Sequence, residues 1–284
     1  MAATLNDAVV ILGDSLTSRQ EVPWNLHHHL SEAYRGKLDV LNRGYGGWNT
    51  AWIRQLFPKI FAKKEEGEDK PAVRLVTIWL GTNDAALPGH KQHVPLSTFR
   101  ENMNHFLESL TSPASPYAAA QTPEALNIVL ITPTIFNPLQ WEADLPEKDK
   151  SRSVDVMRTY KDAVLELGKQ WKKTESEQKK GSKGEGWRIQ TIDLWEAVVS
   201  ANGGKESGAE LERFYNDGLH LTTEGYEVLW SRLSRVIKED FTGRGLDWED
   251  MEDLPFRAPR WEDIDETRPE TVTERMALPA CRRK

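Results

Sequence analysis

The chain has 284 residues, 38% hydrophobic and 29% charged, which suits one large core. A net charge of −7, from 37 Lys and Arg against 44 Asp and Glu, argues against a general nucleic-acid binder, which needs clustered positive charge. No apolar run nears the roughly 18–20 residues of a membrane span. No basic segment precedes the first apolar run as in a secretory leader, and the lone Cys281 allows neither an intrachain disulfide nor a cysteine-rich zinc site, so a reducing, cytoplasmic setting is expected.

Five short apolar runs read as buried strands: Ala8–Leu12, Leu38–Leu41, Val73–Leu80, Ala125–Ile131 and Trp187–Leu194. Most are continuous rather than alternating, as in strands covered on both faces. Gly13-Asp14-Ser15 follows the first. In a parallel sheet ligands bind beyond the carboxyl ends of the strands, so this serine stands where chemistry is favoured; it could equally be an ordinary helix cap. The G-x-S-x-G elbow is missing, since position 17 is Thr. His27-His28-His29 comes next. Adjacent helical residues diverge, so the three cannot converge on one metal ion. Gly44-Tyr45-Gly46-Gly47 follows the second strand, and Gly81-Thr82-Asn83-Asp84 the third. Each reads as a turn, yet an Asn amide and backbone N–H groups are also what a developing oxyanion requires. His90 and His93 have no evident third ligand, and no metal site is expected.

Helical spacing marks Phe99, Met103, Phe106 and Leu110, then Met157, Tyr160, Val164, Leu167 and Trp171, and finally Tyr226, Leu229, Leu233 and Val236. Alternating strands and helices predict an α/β protein with helices on both sides of a parallel sheet. The charged Lys172–Gly186 segment lacks apolar periodicity and is expected to be a flexible surface loop. Asp217-Gly218-Leu219-His220 precedes the last helix, which Thr222 or Thr223 would cap. A histidine can take the proton of a serine hydroxyl, and an Asp three residues earlier can hold its far nitrogen; a lone D-x-x-H also occurs as plain surface sequence. Residues 1–265 are expected to form one domain. Its segment 241–265 carries Trp248, Leu254, Phe256, Trp261 and Ile264, which should pack on the body, and 266–284 reads as a disordered tail.

Four separate turns would not be expected to supply every part of one mechanism. Ile11 to Thr17, Gly47, Gly81 to Asp84 and Asp217 to His220 resemble the four sequence blocks of the SGNH, or GDSL-type, esterases and lipases. Leu38 to Gly47 followed by Trp52, Trp79 to Ala85, His93-Val94-Pro95-Leu96, Trp141-Glu142 and the late Leu254-Pro255 and Pro259-Arg260-Trp261 are similar to the isoamyl acetate-hydrolysing esterase branch. The resemblance spans about residues 8–265. It implies a flavodoxin-like three-layer αβα sandwich with a five-stranded parallel sheet, no cofactor, and a serine esterase acting through an acyl-enzyme on small, short-acyl esters such as acetates. It implies Ser15 as nucleophile, His220 as base, Asp217 as its partner, and the Ser15 N–H, Gly47 N–H and Asn83 amide as oxyanion hole. Asp14, Trp48, Trp52 and Asp84 are expected pocket residues. Gly46 and Asn49 depart from the pattern around the block glycine, and the 172–186 segment is longer than in that branch. A lysophospholipase or acyl-thioesterase, a sugar O-deacetylase, and a non-catalytic binding protein on the same fold are the alternatives. The expected partner is a small-molecule ester, with homo-oligomerisation left open.

Overall fold

A computed structural model describes residues 6–66, 71–122, 126–181 and 186–276. Five strands form one sheet: β1 (Asp7–Gly13), β2 (Leu38–Gly44), β3 (Val73–Trp79), β4 (Asn127–Ile131) and β5 (Arg188–Ile192). All pairings are parallel and the order is β2-β1-β3-β4-β5. The chain runs from β1 out to β2, then crosses back to β3. That reversal opens a crevice between β1 and β3 at their carboxyl ends, the usual place for a ligand in this topology. β1 and β4 are buried at every position, as their Val, Ile and Leu content demands, whereas β2 is an edge strand and only partly covered.

Among the described residues seven α-helices accompany the sheet: α1 (Ser15–Ser18), α2 (Leu26–Ala33), α3 (Thr50–Ile60), α4 (Leu96–Thr111), α5 (Val154–Gly181), α6 (Leu194–Ala201) and α7 (Thr223–Arg235). α3, α4 and α5 pack side by side in one layer, and α2, α7 and α6 in the other. The predicted stripes face inward: Phe99, Met103, Phe106 and Leu110 of α4 are buried, as are Tyr226, Leu229 and Leu233 of α7. Thr222 caps α7, its hydroxyl accepting from the Gly225 N–H at 3.3 Å. No helix among the described residues is long and apolar enough to cross a membrane.

The expected loop at 172–186 is corrected: α5 continues to Gly181. Charge pairing replaces an apolar stripe there. Glu175 is buried, accepts from the Ile189 N–H at 3.0 Å and pairs with Lys172 at 2.8 Å, one turn earlier. Lys, Glu and Gln are also good helix formers, so propensity supports the extension. Residues 182–185 lie outside the described part.

Beyond α7 the chain crosses the amino-terminal edge of the sheet. Arg244 is buried there, donating to Asn127 Oδ1 at 3.0 Å, Gly186 O at 3.0 Å and Leu126 O at 3.3 Å. Arg74 of β3, itself paired with Asp7 at 3.5 Å, donates back to the Arg244 carbonyl at 2.7 Å. The Asp253 carboxylate accepts from the N–H groups of Gly245, Leu246 and Asp247. Leu246 and Leu254 are buried, and Trp248 meets Tyr34 edge-on, but Trp261 is 78% exposed, contrary to the expected packing. Arg244→Ala strips donors from several buried acceptors and should cost about 3 kcal/mol or more. A urea midpoint indistinguishable from wild type would show that this fastening carries no stability.

The tail expectation is corrected in part. Residues Pro269–Arg275 form a short 3-10 turn in which Thr271 is buried and donates to Arg268 O. Residues 277–284, with Cys281, lie outside the described part.

Candidate active site

The motif blocks converge at the carboxyl end of the sheet. Gly13 of β1 lies in register with Gly44 of β2 and Trp79 of β3, so Ser15, Gly47 and Asn83 emerge from three neighbouring strands. A Cβ at Gly13 would stand 2.8 Å from the Trp79 carbonyl oxygen and closer still to Thr17, and one at Gly44 would stand 2.3 Å from the Ser18 N–H nitrogen. Only glycine lets β1 turn into α1 against both neighbours. Tyr226 of α7 secures that turn, its hydroxyl donating to Leu16 O at 2.6 Å.

Ser15 Oγ lies 2.9 Å from His220 Nε2, and His220 Nδ1 lies 2.6 Å from Asp217 Oδ2. Asp217 Oδ1 accepts from the backbone N–H groups of Leu219 at 3.0 Å and His220 at 2.8 Å. Burial opposes ionisation of Asp217, but the His220 side chain and these two N–H groups outweigh it and hold the carboxyl below its usual range. An ionised carboxylate only accepts, so Nδ1 carries a proton, and in the neutral imidazole Nε2 is then the acceptor for the serine hydroxyl. Gly218 sits at φ +92° against the 137–141 segment, where a Cβ would meet the Trp141 nitrogen at 2.4 Å. That segment brings the Trp141 ring to 6.1 Å from the His220 ring, edge-on.

Gly47 adopts φ +78°, a left-handed conformation natural to glycine. The Ser15 and Gly47 amides make no hydrogen bond to other described residues. Asn83 is tied to the Gly47 turn: its Nδ2 donates to Trp48 O at 2.9 Å, and its Oδ1 accepts from Gln92 Nε2 at 3.1 Å and Arg152 Nη2 at 3.0 Å. A carbonyl cannot donate and a guanidinium cannot accept, so the carboxamide has one orientation. Asn49, the departure noted after the block glycine, caps α3 by accepting from the Trp52 N–H at 3.0 Å and donates to Gln92 O at 3.0 Å.

Trp48 and Trp52 meet edge-on at 6.3 Å, partly exposed beside Gly47. Asp14 and Asp84 are corrected: they are 1% and 0% exposed and stand behind the site rather than line it. Asp84 accepts from the Thr50 N–H at 3.0 Å and from the Thr50 hydroxyl, joining α3 to the third block; burial raises its carboxyl to about 6. Asp14 accepts from the Leu16 N–H at 2.9 Å. Burial, reinforced by the charge of Asp84, raises Asp14 to about 7. Between the ordinary 3.8 and about 7 the folded chain therefore keeps a proton that the unfolded chain has lost. Stability from this group is complete below that window and is lost as pH rises through it. Asp14→Asn keeps the Leu16 bond and should lessen the fall of thermal midpoint with pH over this range. A variant with the wild-type slope would show that Asp14 does not titrate there.

Three residues outside the expected set, Gln92, Arg152 and Glu142, complete the surroundings. Gln92 and Arg152 hold Asn83. Glu142, at φ +53°, accepts from the Ser151 N–H and hydroxyl, both at 2.6 Å, closing the loop that carries Trp141. The His27–His29 run is dispersed: His27 reaches Val40 O at 3.3 Å, His28 stacks on Trp24 and His29 on Trp230. His93 bonds to Ala86 O at 2.6 Å. Among the described residues no group of three or more His, Cys, Asp or Glu could hold a metal ion.

The profile of the family described as GDSL-like Lipase/Acylhydrolase matches residues 9–233. The isoamyl acetate-hydrolyzing esterase 1 homolog of Bos taurus is 31% identical over 268 residues, covering 92% of this chain and 90% of that protein. A GDSL esterase/lipase of Arabidopsis thaliana is 29% identical, covering 95% of this chain and 98% of its own length. Among solved structures, the lipase/acylhydrolase from Enterococcus faecalis aligns with a TM-score of 0.53 at 22% identity, over 82% of this chain and 96% of that one. A catalytic mutant of an acetylxylan esterase from Geobacillus stearothermophilus aligns at 0.52 and 18%, over 87% and 97%. At such identities the structural likeness establishes the fold, while the profile and the bovine relative establish the family. The chain belongs to the GDSL-like lipase/acylhydrolase family and is a carboxylic ester hydrolase.

Proposed function

We propose that this hydrolase cleaves short-acyl esters of small alcohols, acetates foremost, through an acyl-enzyme on Ser15. The observation that carries the reading is the unbroken line from Ser15 Oγ to His220 Nε2 and from His220 Nδ1 to Asp217, beside the Gly47 and Asn83 donors. As Ser15 Oγ attacks the ester carbonyl, His220 Nε2 takes its proton and Asp217 stabilises the imidazolium. The negative charge forming on the carbonyl oxygen is met by the Ser15 and Gly47 N–H groups and the Asn83 amide. Collapse breaks the bond to the alcohol, which leaves with the proton from His220. Water then attacks the acyl-serine by the same route, freeing the acid and restoring Ser15.

The substrate class is supported by the isoamyl acetate-hydrolyzing esterase relatives and by the bulky rings of Trp48 and Trp52 beside Gly47 and of Trp141 against His220. Hydrolysis of p-nitrophenyl esters from acetate to decanoate, with acetylated xylose alongside, tests it. The highest kcat/KM is expected on acetate. A maximum at eight carbons or beyond would favour a lysophospholipase or thioesterase instead, and preference for the acetylated sugar would favour a deacetylase.

A further inference from the structure

Arg152 and Gln92 belong to none of the four motif blocks, yet their polar atoms gather on them. Arg152 is 5% exposed. Its Nη2 donates to Asn83 Oδ1 at 3.0 Å and Gln92 Oε1 at 3.4 Å, its Nε to Thr82 O at 3.3 Å, and its Nη1 to Ser151 Oγ at 3.1 Å. Its guanidinium also lies over the Trp141 ring at 5.1 Å. Gln92 Nε2 donates to both Gly47 O at 2.9 Å and Asn83 Oδ1 at 3.1 Å. One carboxamide thus links the two turns assigned to the oxyanion hole, and one buried cation fixes that carboxamide. Burying a guanidinium is costly without partners, and here the partners lead to the site.

We propose that Arg152 and Gln92 are positioning residues of the oxyanion hole. They hold Asn83 with one Nδ2 hydrogen on Trp48 O and the other toward the substrate oxygen, and they tie the Gly47 turn to the same amide. Two donors on Asn83 Oδ1 draw electron density from its nitrogen and strengthen its N–H as a donor. The guanidinium charge adds to the field at the forming oxyanion in a region of low dielectric. The proposal rests on Gly47 and Asn83 being the oxyanion donors.

A double-mutant cycle on the full chain tests it, with p-nitrophenyl acetate as substrate and thermal midpoints recorded throughout. Asn83→Ala should lower kcat roughly 10²–10³-fold. Arg152→Ala should lower kcat roughly 10–10²-fold while KM stays within about threefold, the pattern of an interaction made mainly in the transition state. Arg152→Lys, which keeps the charge but not the fork, should recover part of the loss, and added guanidinium should partly rescue Arg152→Ala. In the Asn83→Ala background Arg152→Ala should lower kcat by no more than about threefold further. Multiplication of the two losses in full, or a loss confined to KM, would overturn the proposal while leaving the oxyanion assignment in place. Wild-type kcat in Asn83→Ala would remove that assignment, and the proposal with it. Should Arg152→Ala not fold, Gln92→Glu decides. A carboxylate there still accepts from Arg152 but sets oxygen against Gly47 O and Asn83 Oδ1. Its kcat, measured well below its lowered thermal midpoint, should fall about tenfold or more, and unchanged kcat would overturn the proposal.

Discussion

Ser15→Ala is expected to lower kcat on p-nitrophenyl acetate by roughly 10⁶-fold, the scale seen when a triad nucleophile is removed. The hydroxyl has one role in the proposed reaction and, among the described residues, one side-chain partner, His220 Nε2 at 2.9 Å. Its removal takes away the atom that forms the new bond but leaves the turn intact, since Gly13, Asp14 and Tyr226 hold that turn through other contacts. KM and the thermal midpoint should therefore remain near wild type. A phosphonate ester should label wild-type Ser15 and leave the variant unlabelled. Activity within tenfold of wild type would exclude Ser15 as nucleophile.

Asp217→Asn should lower kcat by about 10⁴-fold at neutral pH with little loss of stability. The substitution separates two tasks of one side chain. An Asn oxygen can still accept from the Leu219 and His220 N–H groups, so the turn should persist. Its amide nitrogen, however, would point a hydrogen at His220 Nδ1, where the carboxylate now accepts at 2.6 Å. The imidazole would then carry its proton on Nε2 and could not receive one from Ser15. Asp217→Ala should lose stability as well, because the two N–H groups lose their acceptor. Equal activity in Asp217→Asn and wild type would mean that another group orients His220.

The strands were readable because burial on both faces leaves near-continuous apolar runs, and each motif glycine marks the place where a run must turn. Ser15 is singled out by its place just beyond the first strand, and Asp217 and His220 by an Asp-x-x-His spacing before the last helix; the fold sets Ser15 Oγ 2.9 Å from His220 Nε2 across 205 positions. What escaped were residues whose role depends on three-dimensional pairing. Arg152 looks like any basic residue before a helix, and nothing local announces that its guanidinium is buried against Asn83. Gln92 lies in a polar stretch. Glu175 hides in a charged segment that reads as loop until Arg188 and the Ile189 N–H supply its partners. Asp14 and Asp84 erred in the opposite sense. Standing beside motif residues suggested contact with substrate, whereas both carboxyls turn inward.

The sheet keeps two poles apart. Asp7, Arg74 and Asn127, which fasten the segment after α7, begin the same three strands whose far ends lead to Ser15, to Asn83 and toward the segment bearing Trp141. The seven residues of β1 correspond to roughly 20 Å. At such spacing substitutions combine almost independently. Changes at the base should register as durability and changes at the rim as turnover, so an engineer could harden one pole and reshape the other in parallel. Anchoring the protein to a surface by its base would leave the mouth of the crevice facing the solution.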